Sequence, residues 1–102
     1  MKFNKLVRDR IPEIIEKNGK KAVTRILNDE EYKIYLEKKL DEEVAEFHES
    51  KSIEELADIL EVIYALSETC GTVTDFLAKW DEKTKERGGF TKKILLEEIC
   101  EE

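Results

Sequence analysis

Residues 40–64, LDEEVAEFHESKSIEELADILEVIY, carry two acidic signatures, each on its own predicted helix. The signatures are Glu-Glu-x-x-Glu (Glu42, Glu43, Glu46) and Glu-x-x-Asp (Glu55, Asp58). Residues three or four apart project from one side of a helix, so two antiparallel helices side by side would bring four carboxylates into one small volume. Desolvated together, these charges repel by several kcal/mol, which predicts a bound cation. A ligand set made only of carboxylate oxygens favours Mg²⁺, or Mn²⁺, over zinc.

Glu43 lies inside the apolar stripe of the first of these helices. The stripe has spacings of four, four and three and consists of Leu36, Leu40, Val44 and Phe47. An acid on an apolar face is uncommon, because burying an unpaired charge is costly. This position favours Glu43 and Glu46 as metal ligands over the alternative of a solvated face paired with Lys39.

The second signature has a competing structural explanation. Ser52-x-x-Glu55 is also a capping-box pattern, in which the Glu55 carboxylate returns to the Ser52 amide, and the residues alone favour this cap. Asp58 lies in mid-helix, where aspartate has a poor propensity, so a role other than a structural one is favoured for it.

The length and composition of the chain predict one small helical domain over residues 1–102. The chain is 40% hydrophobic and 42% charged, with four Gly and one Pro, which favours an all-α fold. The net charge of −7 argues against binding to a nucleic-acid polymer or an anionic membrane. Two cysteines are too few for a disulfide framework, and no apolar run approaches roughly 20 residues. We therefore expect a soluble, cytoplasmic protein with reduced thiols.

Apolar periodicity and capping residues predict four helices. They cover about 10–18 after a cap at Asp9, from Asn28 or Asp29 to about 49, about 53–69, and about 73–87 after a cap at Thr72. Residues 21–27 weakly predict a strand, and the tail from residue 90 is ambiguous between a short strand and a helical turn. The expected fold is a helical bundle with at most one or two short peripheral strands.

The third predicted helix is apolar around most of its circumference, with only a narrow wet stripe of Glu54, Glu61 and Glu68. One small chain can hardly cover such a helix on both sides. We therefore expect a homodimer with this helix near its centre.

Two further stretches complete an ordered set with EEVAE (42–46) and the second acidic signature. They are KLVRDRIPEII (5–15) and ERGGF (86–90), and the set spans nearly the whole chain. The chain thereby resembles the all-α nucleoside-triphosphate pyrophosphohydrolase superfamily, which includes MazG-like and phosphoribosyl-ATP pyrophosphohydrolase-like proteins. The two added stretches are similar to its small house-cleaning branch.

The resemblance implies Mg²⁺-dependent hydrolysis of a nucleoside triphosphate to a nucleoside monophosphate and pyrophosphate. Its house-cleaning branch implies damaged or non-standard nucleotides as substrates. It also implies a helical dimer or a dimer of dimers. Carried over residue by residue, the metal ligands are Glu43, Glu46, Glu55 and Asp58, which places metal binding ahead of the cap for Glu55. Glu43 or Glu46 is then the candidate acceptor of the proton from the attacking water.

A triphosphate also needs basic partners, and the chain offers two candidate sets for binding phosphate. Lys79, Lys83 and Arg87 recur every four residues on the fourth predicted helix, and Arg8 belongs to a basic N-terminal segment. A solvated helix face accounts equally well for the first set, and an ion pair beside a helix cap for Arg8.

Two other functions compete with hydrolysis of free triphosphates. One is a non-catalytic helical dimerisation or nucleotide-sensing module, which the short gap of eight residues (47–54) between the signatures favours. The other is a phosphoribosyl-ATP pyrophosphohydrolase, which the acidic signatures alone support.

Overall fold

The computed structural model describes residues 4–101, and within that range it contains four α-helices and no β-strand. The helices are α1 (Ile11–Lys17), α2 (Asp29–Ser50), α3 (Ile53–Cys70) and α4 (Val73–Arg87). The predicted all-α class is therefore confirmed. None of these helices has the length and apolar character needed to cross a bilayer.

Helices α2, α3 and α4 begin at side chains that accept hydrogen bonds from the first exposed amides. The N-caps are Asn28, which accepts from the Glu31 amide at 2.9 Å, Ser52, which accepts from the Glu55 amide at 3.4 Å, and Thr72, which accepts from the Asp75 amide at 3.0 Å. Thr72 and Asp75 form a complete capping box, because the Asp75 carboxylate also accepts from the Thr72 amide at 3.1 Å.

The predicted cap of α1 at Asp9 is wrong. The N-cap of α1 is Arg10, which makes no side-chain capping bond. The amide of Ile11 instead donates to the carbonyl of Arg8 at 3.0 Å, so a backbone turn already satisfies the first amide of the helix.

Helices α2 and α3 form a long antiparallel hairpin, which is the main packing unit of the chain. Leu36 on α2 and Val62 on α3 are its buried apolar side chains among the described residues, at 2% and 7% exposure. Helix α4 follows after a short turn and joins α3 through an edge-to-face contact of Phe76 with Tyr64, whose ring centroids are 5.9 Å apart.

The predicted strand over residues 21–27 is also wrong. The segment is irregular, and its β-branched apolar side chains, Val23 and Ile26, are almost fully exposed. A strand exists only when its backbone pairs with another, and no described segment lies beside this one as a strand. The tail over residues 90–101 is likewise neither strand nor helix.

The chain is extended and exposes far more surface than a compact protein of its mass. Its radius of gyration is 18.4 Å, against about 13 Å for a compact chain of this length. Its accessible surface is 9537 Å², against about 6,000 Å² for a monomeric globular protein of 12.0 kDa. The hairpin therefore supplies a scaffold with little core of its own.

Candidate metal centre

A tight turn between α2 and α3 positions the two acidic signatures opposite each other. Only Lys51 and Ser52 separate the helices, and Lys51 adopts the left-handed conformation (φ 54°) while its amide donates to the Phe47 carbonyl at 2.8 Å. Glu46 lies about one turn before the end of α2, and Glu55 lies in the first turn of α3. The short gap between the signatures is therefore the length that a tight hairpin needs.

The carboxylates converge in two overlapping groups that share Glu43. The first group is Glu42, Glu43 and Glu46, and the second is Glu43, Glu55 and Asp58. Within each group, one carboxylate oxygen of every member lies within 4.8 Å of those of the other two. The structure thus brings together all four residues that the sequence suggested as ligands, and adds Glu42 at the edge.

Glu43 is the centre of the cluster and is buried, at 6% exposure. Its Oε1 lies 3.3 Å from the ammonium of Lys39, one turn earlier on α2. Its Oε2 is buried and has no hydrogen-bond partner among residues 4–101. A buried carboxylate oxygen normally has a partner, so this oxygen fits a site for a bound cation.

Glu55 does not form the capping box that its spacing allowed. Its backbone amide donates to Ser52, but the Ser52 amide donates to the hydroxyl of Ser50 at 3.3 Å instead of to the Glu55 carboxylate. Glu55 Oε2 is buried, again with no hydrogen-bond partner in the described range. The carboxylate is thus available to the acidic cluster.

The crowding of these acids raises the affinity of two of them for protons. Desolvation, followed by the neighbouring Glu43, Glu46 and Asp58 carboxyls, raises the pKa of Glu55 to about 7. The charge of Glu43, with partial desolvation, raises the pKa of Glu46. Groups whose pKa is raised by neighbouring acids are those that a divalent cation would relieve most.

Two lysines offset the charge at one edge of the cluster. Glu42 accepts from Lys5 at 3.1 Å and lies 3.6 Å from Lys39. Partial desolvation acts to raise the pKa of Glu42, but the two ammonium groups outweigh it and hold that pKa below its usual value. Lys39 lies one helical turn before Glu42 and Glu43, so sequence spacing predicts its contacts with both acids. Lys5 and Glu42 are 37 residues apart, and no local pattern in the sequence predicts their contact.

Arg8 is held on the other edge of the cluster. Its Nη2 donates to Asp58 Oδ1 at 2.7 Å, which ties the segment before α1 to α3. Both side chains remain about half exposed. Of the basic residues suggested for phosphate binding, Arg8 is therefore the one that lies at the acids.

The basic stripe of α4 lies elsewhere in this chain. Lys79 pairs with Glu82 at 3.1 Å on its own helix, and Lys83 and Arg87 are exposed. Within residues 4–101, no ion pair or hydrogen bond joins any of the three to the acidic cluster.

The residues present fit a hard divalent cation. The cluster offers carboxylate oxygens from two rigid helices, includes unpartnered buried oxygens on Glu43 and Glu55, and contains no nitrogen or sulfur ligand. This donor set suits Mg²⁺ or Mn²⁺.

Comparison with known proteins yields one partial similarity. No protein-family model and no solved structure matches the chain. The chain is similar to a protein of Mycolicibacterium smegmatis (strain ATCC 700084 / mc(2)155) described as uncharacterized, with 61% identity over 41 residues. That match covers 40% of this chain and 42% of the relative, so less than half of the relative's length is spanned.

Proposed function

We propose that the protein is a Mg²⁺-dependent nucleoside-triphosphate pyrophosphohydrolase that converts a triphosphate and water into a nucleoside monophosphate and pyrophosphate, with non-standard nucleotides as its substrates. The observation that carries this proposal is the convergence of four carboxylates on a buried Glu43 whose Oε2 has no partner among the described residues. The two free thiols suit a reducing setting such as the cytoplasm.

Glu43, Glu46, Glu55 and Asp58 would hold the cations. When bound, Mg²⁺ would neutralise phosphate charge and lower the pKa of a water molecule in the site. Four carboxylates and a triphosphate together carry about eight negative charges, so more than one cation is expected.

The protein side chains supply the proton acceptor and a phosphate contact. Glu46 is exposed at the mouth of the cluster and its pKa is raised, which suits a carboxylate that takes a proton from the attacking water, with Glu43 as the other candidate. Arg8 is half exposed and can turn from Asp58 toward a phosphate oxygen when a substrate arrives. Lys79, Lys83 and Arg87 would have to reach phosphate from a second copy.

Self-association belongs to the same proposal. Ile53, Leu56 and Leu60 follow one face of α3 and are about half exposed or more, although α3 is the most apolar helix of the chain. We expect this face to be buried against a second copy, giving a dimer or a dimer of dimers in which the hairpins form one bundle.

The test is incubation of the purified protein with a panel of standard and modified nucleoside triphosphates in Mg²⁺, with the products resolved by chromatography. We expect a monophosphate and pyrophosphate in equal amounts. Release of orthophosphate would contradict the proposed bond cleavage, and absence of turnover across the panel would contradict the enzymatic function.

A non-catalytic nucleotide-sensing module is the second candidate, and one observation favours it. Lys5, Arg8 and Lys39 already pair with acids of the cluster, so the site is partly neutralised by the chain's own cations. Nucleotide binding without turnover, measured by calorimetry on the same panel, would support this candidate over the enzyme.

A further inference from the structure

An apolar segment after α4 is exposed and packs against none of the four described helices. This segment, residues 90–99, is called the C-terminal arm. Every residue in it is exposed, including five large apolar side chains, which are those of Phe90, Ile94, Leu95, Leu96 and Ile99. Its one backbone hydrogen bond within the described range is internal, from the Lys93 amide to the Phe90 carbonyl at 3.1 Å. An exposed apolar segment of this kind is typical of a protein-protein interaction site.

The excess exposed area of the chain is more than enough for a stable interface. The chain exposes about 3,500 Å² more than a compact protein of its mass would. A standard interface buries about 800 Å² per partner, and obligate homodimers bury considerably more. Burial of the α3 face and of the arm in a second copy would remove part of this excess.

Helix α4 carries a matching apolar groove. Leu77 and Trp80 lie three residues apart on one face and are exposed, and with Asp81 and Thr84 they line a shallow groove of about 330 Å³. The arm follows α4 after Gly88-Gly89, and no arm residue is among those that line the groove. Two copies related by a twofold axis can therefore satisfy both surfaces reciprocally.

We propose that the C-terminal arm of each protomer docks in the α4 groove of a second copy, with its leucine and isoleucine side chains against Leu77 and Trp80. The proposal rests on the self-association proposed above and is independent of hydrolysis. Exchanging arms would extend the interface beyond the α3 face and tie the two hairpins together.

Trp80 is the single tryptophan of the chain, and Cys100 lies directly after the arm, which allows a direct test. One chain carries a nitroxide on Cys100, with Cys70→Ser and Trp80→Phe. The other carries Cys70→Ser and Cys100→Ser and keeps Trp80. Because a nitroxide quenches tryptophan only at short range, quenching in a mixture of the two reports an arm of one chain beside α4 of another.

The expected result is strong quenching in the exchanged mixture and an immobilised nitroxide spectrum. Leu95→Ser with Ile99→Ser in the labelled chain should abolish the quenching and raise the dimer dissociation constant at least about tenfold. Glu97→Ser with Glu101→Ser is the matched control, since it alters polar positions in the arm and just after it, and should keep the quenching.

Two other outcomes overturn the proposal in distinguishable ways. A dimer by light scattering with a mobile nitroxide and no quenching would exclude arm exchange and leave self-association in place. A monomer without quenching would exclude both. Neither result depends on turnover, which the nucleotide assay measures separately.

Discussion

At the scale of single residues, Glu43 combines a buried position with an unpartnered oxygen. Lys39 balances one oxygen, while Oε2 is buried without a hydrogen-bond partner among the described residues. Burying an unpaired charge is unfavourable, so the position of Glu43 on the packed face of α2 supports the proposed cation.

Glu43→Gln should lower the turnover number at least about 100-fold, because it removes a charged ligand shared by both carboxylate groups. The helical circular dichroism should stay nearly intact, since glutamine has the same shape and removes a repelling charge. Glu49→Gln, on an exposed position of the same helix, is the matched control and should leave turnover unchanged. Equal activity of the two variants would contradict a central role for Glu43.

The raised pKa of Glu55 predicts how the metal-free protein responds to pH. Between the ordinary value of 4.5 and about 7, the folded state keeps a proton that the unfolded chain has released. This contribution to stability is present at low pH and is lost as the pH rises through about 7. In a chelator, the melting temperature should therefore fall between about pH 5 and about pH 8 more steeply than in Glu55→Gln.

Glu54→Gln, which alters the exposed neighbour on α3, should keep the wild-type pH slope. Parallel curves for wild type and Glu55→Gln would show that Glu55 does not hold the proton. Adding Mg²⁺ should flatten the wild-type curve, because a bound cation favours the ionised form.

Residue roles differ in how far the sequence predicts them. The burial of Glu43 follows from its phase among Leu36, Leu40 and Phe47, because helical periodicity is a local property. The pairing of Arg8 with Asp58 joins positions 50 residues apart, and nothing local specifies it. The role of Glu55 was open because a capping box and a ligand share one spacing, and the placement of the Ser52 amide excludes the box.

At the scale of elements, the caps account for where the helices begin. Thr72→Ala should lower the free energy of unfolding by about 1 kcal/mol, because it removes the acceptor for the Asp75 amide at the start of α4. Thr74→Ala, two residues further along the chain and inside the same helix, should have little effect. Denaturant unfolding at one fixed protein concentration measures both, and equal losses would contradict the cap.

The same local chemistry explains which elements the sequence predicts well. Asn28, Ser52 and Thr72 each combine a capping side chain with a following apolar period, and three helix starts follow from them. Asp9 failed because the α1 start is closed by a backbone turn. The strand over residues 21–27 failed because pairing is a tertiary property, and β-branched residues alone do not supply a partner.

At the scale of the whole molecule, the exposed surface supports the proposed association with a second copy. Leu60→Ser should raise the dimer dissociation constant at least about tenfold, because it removes a large side chain from the α3 face. Glu61→Ser, next to it on the wet stripe, should not. Sedimentation over a range of concentrations gives both constants, and a wild-type chain that stays monomeric throughout would contradict the assembly.

The apolar circumference of α3 predicts a homodimer from the sequence alone, but it does not predict how much apolar surface the single chain leaves exposed. The tail was ambiguous by pattern, because a short apolar run suits a strand or a helical turn equally. The exposure of the tail depends on whether other segments of the chain pack against it, and sequence periodicity does not predict such tertiary contacts.

The most direct measurement is the binding of Mn²⁺ in the absence of nucleotide. Electron paramagnetic resonance detects the Mn²⁺ that remains free in solution. Wild-type protein should take up Mn²⁺, and Mg²⁺ should displace it. Glu43→Gln should weaken the binding at least about tenfold, with Glu49→Gln as the unchanged control. If Mn²⁺ stays free beside the wild-type protein, or Glu43→Gln binds it as well, the carboxylates of α2 and α3 are not a metal centre.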